Sequence, residues 1–262
     1  MFVKEIEEAL LDRSVDIAVH SSKDLPGAMP DALAIGAALE RADPRDVLLS
    51  SDGQSARDWP IVARALGRSP TIGTTSVRRI AQLRARFPEA AFVPLRGNVD
   101  TRVRKLDAGE CSAIVLAGAG VTRLGLTSRI SAYIPIDVCV PAPGQGIVAV
   151  QLRTDAESRL RTVVSRISDA DAEASLTAER AVVTALGGNC QMPLGAFARI
   201  DGQSMAMVGL VASLDGRTVI RAKAGGNRGG PATVGEKLAA KLLEQGAGRI
   251  LAAAADDSGN QA

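Results

Sequence analysis

Residues 71–117, TIGTTSVRRIAQLRARFPEAAFVPLRGNVDTRVRKLDAGECSAIVLA, contain the pattern that determines the fold class. Their apolar spacing switches repeatedly between the period of a strand and the period of a helix. The pattern predicts strands near Thr71–Gly73, over Ala91–Leu95 and over Ser112–Ala117, and helices over Ser76–Phe87 and Val99–Leu106. Short strands that alternate with helices favour a mostly parallel sheet with helices on its faces, which is an α/β fold.

The segments on either side of this stretch predict further elements of an α/β protein. An amphipathic helix over residues 3–12 precedes short strands at Asp16–Val19 and Leu33–Leu39, and another apolar strand covers Gly146–Leu152. The opening helix has no Ser, Thr, Asp or Asn ahead of it to serve as an N-cap. This start is typical of a domain that the chain enters midway.

The pattern changes near Asp171, where a long helix runs to Leu186 and ends at two glycines. The next three predicted strands are Leu194–Ile200, Met205–Ser213 and Arg217–Lys223. An Asp-Gly pair lies between successive strands, and Asp-Gly is a strong hairpin signal. With a closing helix over Pro231–Gln245, these elements predict a small α+β domain with a three-stranded antiparallel sheet. We expect the tail after Ala252 to be disordered.

Composition excludes several classes of protein. The 262 residues carry 31 Lys and Arg against 29 Asp and Glu, and this net charge of +2 lacks the strong positive field of a nucleic-acid binder. A single histidine excludes a multi-histidine metal site, and the wide spacing of Cys111, Cys139 and Cys190 argues against structural zinc and against a disulfide framework. No apolar run is long enough to cross a bilayer. We therefore expect no metal, no nucleic-acid or membrane partner, and a cytoplasmic location.

Two polar segments follow predicted strands, at the sheet edge where open α/β sheets bind ligands. VHSSKDLP, residues 19–26, places Lys23 beside Asp24, a pair that can hold a charged ligand and transfer a proton. GTTSVRR, residues 73–79, places two arginines in the first turn of a helix, where they oppose the helix dipole and favour an anion between them. The alternatives for these segments are a polar turn closed by proline and a capped helix with solvated arginines.

Three more arginines follow the same positional rule. Arg96 and Arg102 flank the passage from a predicted strand to a helix, and Arg123 follows a glycine-rich stretch. Each of them taken singly is more often a surface charge than a ligand contact. Together with the arginines of residues 73–79, they predict a cleft that binds several anionic groups.

Cys190 lies in the loop GGNCQMPLG, residues 187–195. The usual state of a free cysteine is inert burial, because a thiol packs as a small apolar group. A glycine-rich loop can also present a thiol as a nucleophile. Both interpretations of Cys190 stay open on position alone.

Six segments in the same order resemble those of porphobilinogen deaminases (hydroxymethylbilane synthases). They are VHSSKDLP, GTTSVRR, LRGNVDTR, AGAGVTRLGL, PAPGQG and GGNCQMPLG. The likeness covers nearly the whole chain. One such match is modest evidence, whereas six in register are highly specific.

The resemblance implies an enzyme of three domains. Two α/β lobes with mixed or mostly parallel sheets, similar to periplasmic binding proteins, enclose a cleft, and a small α+β domain carries a cofactor. The implied boundaries are residues 1–42 with 146–167, then 43–145, then 168–262. The implied reaction of this monomeric family is head-to-tail condensation of four porphobilinogen molecules to hydroxymethylbilane, a precursor of haem, with release of ammonia.

The resemblance also implies the roles of individual residues. Cys190 would carry a dipyrromethane cofactor through a thioether bond, and Asp24 would be the catalytic carboxylate. The implied contacts of the cofactor are Ser21, Lys23, Thr74, Ser76, Arg78, Arg79 and Arg96. Arg102 and Arg123 are implied to bind the acetate and propionate groups of the substrate.

The chain departs from the family at its start, and other functions compete with the enzyme. Family members begin with a strand–helix–strand portion ahead of the segment that starts here at Met1. We therefore expect a truncated first lobe, incomplete folding and an inactive or weakly active chain. The alternatives are a non-catalytic bilobal binding protein for a small anion, a cysteine hydrolase that pairs Cys190 with His20, and a folded but inactive remnant.

Overall fold

The computed structural model describes residues 2–55, 57–187 and 192–259. The elements in chain order are α1 (Phe2–Leu11), β1 (Ile17–Ser21), β2 (Leu33–Ala38), β3 (Asp46–Ser50), α2 (Trp59–Ala65), β4 (Thr71–Gly73), α3 (Val77–Arg84), β5 (Ala91–Val93), α4 (Val99–Asp107), β6 (Ala113–Ala117), α5 (Gly118–Arg123), β7 (Ala132–Tyr133), β8 (Val148–Arg153), α6 (Ser158–Ser165), α7 (Ala170–Ala185), β9 (Leu194–Asp201), β10 (Ser204–Ala212), β11 (Val219–Asn227), α8 (Pro231–Glu244) and α9 (Ala247–Gly259). Short 3₁₀ turns lie at Ser22–Asp24 and Thr127–Arg129.

The first sheet has the strand order β1-β8-β2. The central strand β8 pairs with both neighbours in antiparallel fashion, so that Val150 lies opposite Val19 on one side and Ala37 on the other. Strand β1 buries alternate side chains, as expected for the two-residue period of a strand. Leu10 of α1 packs against the inner face of this sheet.

The second sheet has the strand order β5-β4-β6-β3-β7. Strand β4 is parallel to β5 and β6, which confirms the parallel pairing predicted for residues 71–117. Strands β3 and β7 add antiparallel pairs, so the sheet is mixed. Apolar clusters cover both faces, one built around Trp59 and Phe87 and the other around Leu95 and Val103.

The third sheet has the strand order β11-β10-β9, with antiparallel pairs. This confirms the predicted three-stranded antiparallel sheet, and Gly202 takes the positive φ of 57° that the turn between β9 and β10 requires. Helices α7 and α8 pack against this sheet. A Cβ at Gly235 of α8 would lie 2.2 Å from the Ala178 carbonyl oxygen, so glycine allows close contact between the two helices.

Several elements differ from the sequence prediction. Strands β3 and β7 and helices α2, α5 and α6 were not predicted. The prediction of disorder after Ala252 is wrong for the described residues, because α9 continues to Gly259. Leu251 and Ala247 bury against the third sheet, and this contact holds the helix.

Two connections join the first and second sheets. Residues 39–45 lead from β2 to β3, and residues 134–147 lead from β7 back to β8. The division into three domains at the predicted boundaries stays a prediction, which the three separate sheets support. Of the helices in the described ranges, none combines the length and apolar character needed to cross a membrane.

Candidate active site

Elements associated with all three sheets meet around a cavity of about 760 Å³. The turn after β1, the start of α3 and the return connection before β8 form much of the wall, and α7 and the start of β9 complete it. The predicted site residues in this wall are Lys23, Asp24, Ser76, Arg78, Arg79 and Arg96. The cavity therefore gathers residues that lie far apart in sequence.

Asp24 and Lys23 lie on the 3₁₀ turn that directly follows β1. Asp24 is exposed, whereas the neighbouring Ser22 is buried and its Oγ has no hydrogen-bond partner among the described residues. Burial and the positive charge of Arg79 lower the pKa of Lys23 to about 8. The turn thus presents a carboxylate beside an amine that exchanges its proton near neutral pH.

Arg78 and Arg79 are buried and share an internal partner, Asp46 of β3. Arg78 Nη2 lies 2.8 Å from Asp46 Oδ2, and Arg79 Nη2 lies 2.8 Å from Asp46 Oδ1. Arg78 Nη1 also donates to the Val140 carbonyl (2.6 Å), and Arg79 Nη1 donates to the Val115 carbonyl (3.0 Å). The anion that the sequence favours between the two arginines is therefore a side chain of the protein.

Asp46 remains charged although it is fully buried. Burial alone would raise its pKa, but the charges of Arg78 and Arg79 and their hydrogen bonds outweigh burial and hold the pKa well below its usual range. Since much of the donor capacity of both arginines is committed to the protein, their positions in the cavity wall are fixed before a ligand binds.

The predicted hydroxyl groups serve the start of α3. Thr74 Oγ1 accepts from the Ser76 backbone N–H (3.2 Å), and Ser76 Oγ accepts from the Arg79 N–H (3.5 Å) as the N-cap. Ser76 and Thr75 line the cavity, whereas Thr74 and Ser21 do not belong to its wall. Ser21 pairs with Val148 at the end of β1.

The remaining predicted arginines occupy different positions. Arg96 lies in the cavity wall, is exposed, and forms no hydrogen bond or ion pair with the described residues. Arg102 donates to the Gly97 carbonyl (2.8 Å), and burial and the charge of Arg79 lower its pKa, which puts it near the cavity but outside its wall. Arg123 donates to the Gly146 carbonyl (3.0 Å) and so joins α5 to the return connection.

Comparison with known proteins identifies the family. Residues 1–161 match the family model described as "Porphobilinogen deaminase, dipyromethane cofactor binding domain", and residues 174–244 match "Porphobilinogen deaminase, C-terminal domain". The chain belongs to the porphobilinogen deaminase family. The dipyrromethane-binding domain of that family thus includes the turn after β1, α3 and both connections between the first two sheets.

Curated porphobilinogen deaminases are similar over almost the whole chain. The protein of Desulforudis audaxviator is 44% identical over 96% of this chain and 79% of its own length. The protein of Bordetella parapertussis is 46% identical over 96% of this chain and 78% of its own length. The protein of Chromobacterium violaceum is 44% identical over 97% of this chain and 79% of its own length.

Two solved bacterial domains are also similar to part of the chain. The periplasmic VFT2 domain of Bordetella pertussis BvgS has a TM-score of 0.36 and 19% identity, over 63% of this chain and 66% of that chain. The second substrate-binding domain of a putative amino acid ABC transporter from Streptococcus pneumoniae has a TM-score of 0.38 and 13% identity, over 69% of this chain and 71% of that chain.

The cavity fits the dipyrromethane that the porphobilinogen deaminase family model names. Such a group carries several carboxylates and pyrrole N–H donors. Lys23, Arg96 and Arg180 in the wall supply positive charge for the carboxylates, and the carboxylate of Asp24 can accept from the N–H groups. Cys190, which the family resemblance implies as the covalent attachment point, lies outside the described residues, but Met192 in the same loop lies in the wall.

Sequence reasoning missed Arg180 and Glu179 of α7. Arg180 lines the cavity and donates to the Gly27 carbonyl (2.9 Å). Glu179 is fully buried and pairs with Arg41 of the connection from β2 to β3 (2.6 Å). It also accepts from the Gly144 N–H of the return connection from β7 to β8 (2.6 Å). The available signal was two adjacent charges within an otherwise uncharged stretch of helix, because a charged residue that a helix buries needs a partner.

His20 is a buried residue of β1 in the first sheet. Its Nε2 lies 2.9 Å from Gln151 Oε1 of β8, and the Gln151 amide nitrogen donates to Glu7 (2.9 Å). His20 does not line the cavity. This position gives His20 a role in packing β1 against β8 and does not support the cysteine hydrolase alternative.

Proposed function

We propose, in place of the sequence-based expectation of an inactive chain, that this protein acts as a porphobilinogen deaminase, which joins four porphobilinogen molecules into hydroxymethylbilane and releases ammonia at each addition. The observation that carries the proposal is the shared wall of one cavity. Asp24, the arginine pair of α3 and Met192 of the cysteine-bearing loop all line it. Family membership favours this enzyme over a non-catalytic binding protein for a small anion.

The positive side chains of the wall are proposed to bind the carboxylates of the growing chain. Each porphobilinogen adds one acetate and one propionate, so negative charge accumulates as the product lengthens. Arg96, Arg180 and Lys23 would bind these groups directly, and each charge-assisted hydrogen bond contributes about 1.5–3 kcal/mol. Arg78 and Arg79 would add positive charge at fixed positions.

Asp24 is proposed as the catalytic carboxylate. Breaking the C–N bond of the aminomethyl group releases ammonia and leaves a cation on the substrate, which the Asp24 carboxylate stabilises where it forms. When bound, the dipyrromethane supplies the free pyrrole carbon that begins the chain. After the new C–C bond forms, Asp24 can accept the proton that this carbon loses.

We propose three domains, at residues 1–42 with 146–167, 43–145 and 168–262, a monomeric state and a cytoplasmic location. Separate sheets support the domains.

The covalent cofactor is tested by mass and by thiol chemistry. Intact mass of the purified chain should exceed the sequence mass by two linked pyrroles, and Ehrlich's reagent should colour the protein. Burial raises the pKa of Cys139 to about 12 and also raises that of Cys111, so neither thiol should react with iodoacetamide at neutral pH. A native protein of unmodified mass that alkylates at Cys190 would contradict the proposal.

The catalytic role is tested by Asp24→Ala against the matched control Asp31→Ala, since Asp31 is exposed and lies outside the cavity wall. Asp24→Ala should lose release of ammonia from porphobilinogen by at least about a hundredfold and keep its thermal unfolding midpoint. Asp31→Ala should keep both the rate of ammonia release and the thermal unfolding midpoint. Equal rates in the two variants would refute the role of Asp24.

A further inference from the structure

Gln145 has an unusual position in the return connection between β7 and β8. It is fully buried and lines the cavity. Its side-chain nitrogen donates to the Pro44 carbonyl (2.7 Å) and to Asp46 Oδ1 (3.0 Å). Its Oε1 is buried and has no hydrogen-bond partner among the described residues. The amide nitrogen therefore has its hydrogen-bond partners within the protein, whereas the amide oxygen has none among the described residues.

The orientation of the amide is fixed by its neighbours. Rotating the group by half a turn would bring Oε1 against two acceptors, one of which is the charged Asp46 carboxylate, and would remove the Gln145 donor from both. Since that exchange is unfavourable, Oε1 is the atom that remains as an acceptor. The ion pairs that fix Asp46 thereby also fix the direction of Gln145.

A second buried polar atom without a partner lies in an adjacent segment. Ser22 Oγ belongs to the turn after β1, and Ser22 also lines the cavity. The two segments are in contact, because a Cβ at Gly144 would lie 2.8 Å from the Ser22 Cβ. Five buried side-chain atoms lack a hydrogen-bond partner among the described residues, and two of them lie in neighbouring segments of this one wall, where a ligand can supply the missing partner.

The chemistry of the wall indicates what these atoms bind. Lys23, Arg96 and Arg180 are donors and suit carboxylates, but none of them can accept from an N–H group. A pyrrole brings such a donor in its ring. The acceptors in this part of the wall include Asp24, Gln145 Oε1 and the Ser22 hydroxyl.

We propose that Gln145 is a specificity-determining residue whose Oε1 accepts a hydrogen bond from the pyrrole N–H of the ligand. The inference rests on the proposed function, since it takes a pyrrole dicarboxylate as the ligand. Gln145 distinguishes a pyrrole from a ring of the same shape that lacks the N–H, because a buried acceptor that stays unpaired in the complex is unfavourable.

The test compares two ligands and three proteins by isothermal titration calorimetry. The ligands are a pyrrole with one acetate and one propionate side chain and the furan with the same side chains. The proteins are the unmodified chain, Gln145→Met, and the matched control Gln151→Met. Gln151 is equally buried, but its Oε1 has a partner in His20 and it lies outside the cavity wall.

The unmodified chain should bind the pyrrole more tightly than the furan. Gln145→Met should reduce this preference by about fivefold, the value of one net hydrogen bond, whereas Gln151→Met should retain the full preference. Should Gln145→Met unfold below the assay temperature, Gln145→Asn replaces it, because the shorter side chain withdraws the acceptor and should reduce the preference by a similar factor.

The outcomes separate this inference from the proposed function. A full preference for the pyrrole in both Gln145→Met and Gln145→Asn would overturn the role of Gln145 and leave the enzyme proposal standing. Equal affinity of the unmodified chain for the pyrrole and the furan would also overturn the role of Gln145 and leave the enzyme proposal standing. Failure of the unmodified chain to bind either dicarboxylate would overturn both.

Discussion

Asp46→Asn tests how the cavity wall is held together. The substitution keeps the shape of the side chain and removes its charge, which leaves two guanidinium groups of 5% and 7% exposure without their anion. Breaking a buried ion pair by removing one partner costs about 3–5 kcal/mol. Because Arg78 and Arg79 share this single carboxylate, we expect the upper part of that range. The midpoint of thermal unfolding should fall by about 10 °C or more.

The assay is scanning calorimetry with Asp107→Asn as the control. Asp107 pairs with Arg129 on the surface, with its side chain 49% exposed, and an exposed pair is worth about 0–1 kcal/mol. Asp107→Asn should therefore have an unfolding midpoint close to that of the unmodified chain. If the unfolding midpoint of Asp46→Asn is also close to that of the unmodified chain, the buried carboxylate does not hold the two arginines, and the preorganised wall is refuted.

The pH dependence gives an independent check of the same network. The folded-state pKa of Asp46 lies below its unfolded value, so its contribution to stability is present above the unfolded value of about 3.9 and is lost as pH falls toward the folded pKa. The stability difference between the unmodified chain and Asp46→Asn should therefore be largest near neutral pH and narrow below about pH 4. A difference that stays constant across that range would assign the effect to packing.

Two further predictions concern other charges around the cavity. Lys23 has a pKa of about 8 and loses its positive charge as pH rises, so the binding free energy of a dicarboxylate, measured by calorimetric titration, should weaken by about 1.5–3 kcal/mol above that pH. Lys23→Met should remove this pH dependence. A pH dependence that survives in the variant would assign it to another group. Glu179→Gln should lower the free energy of unfolding by about 3–5 kcal/mol, because it leaves Arg41 with only 12% exposure and no anion, whereas Glu173→Gln on the exposed face of the same helix should change it little. Equal denaturation curves for these two variants would contradict the role of Glu179.

The sequence predicted the elements whose periodicity is strong. The strands and helices of residues 71–117 and the hairpins of the third sheet were found by spacing and by turn residues. Strand β3 was missed because all five of its residues are buried, so it lacks the alternation that identifies a half-buried strand. Helix α9 was missed because its stability comes from packing of Leu251 on the third sheet, which no local pattern records.

The sequence predicted which segments form the cavity wall, but it did not predict all of the contacts that their side chains make. The sequence placed Asp24, Lys23 and Arg96 correctly at strand ends that meet in one cavity. It could not show that Arg78 and Arg79 bond to Asp46, because that pairing depends on β3 lying beside β6 in the folded sheet. A charge that looks available in a sequence can be fully used inside the structure, and only the tertiary contacts reveal the difference.

The division between paired and unpaired arginines explains how one cavity can bind a lengthening polyanion. If every cation in the wall were free, the empty cavity would carry strong self-repulsion and its side chains would move as each carboxylate arrived. Asp46 neutralises part of that charge and fixes two guanidinium groups, while Arg96 forms no ion pair with the described residues and can follow the ligand. Fixed dipoles and charges lower the reorganisation needed at each addition, which is the condition for repeating one reaction in one place. The buried carboxylate of Asp46 thus contributes to binding without touching the ligand, because it fixes the two arginines that line the cavity.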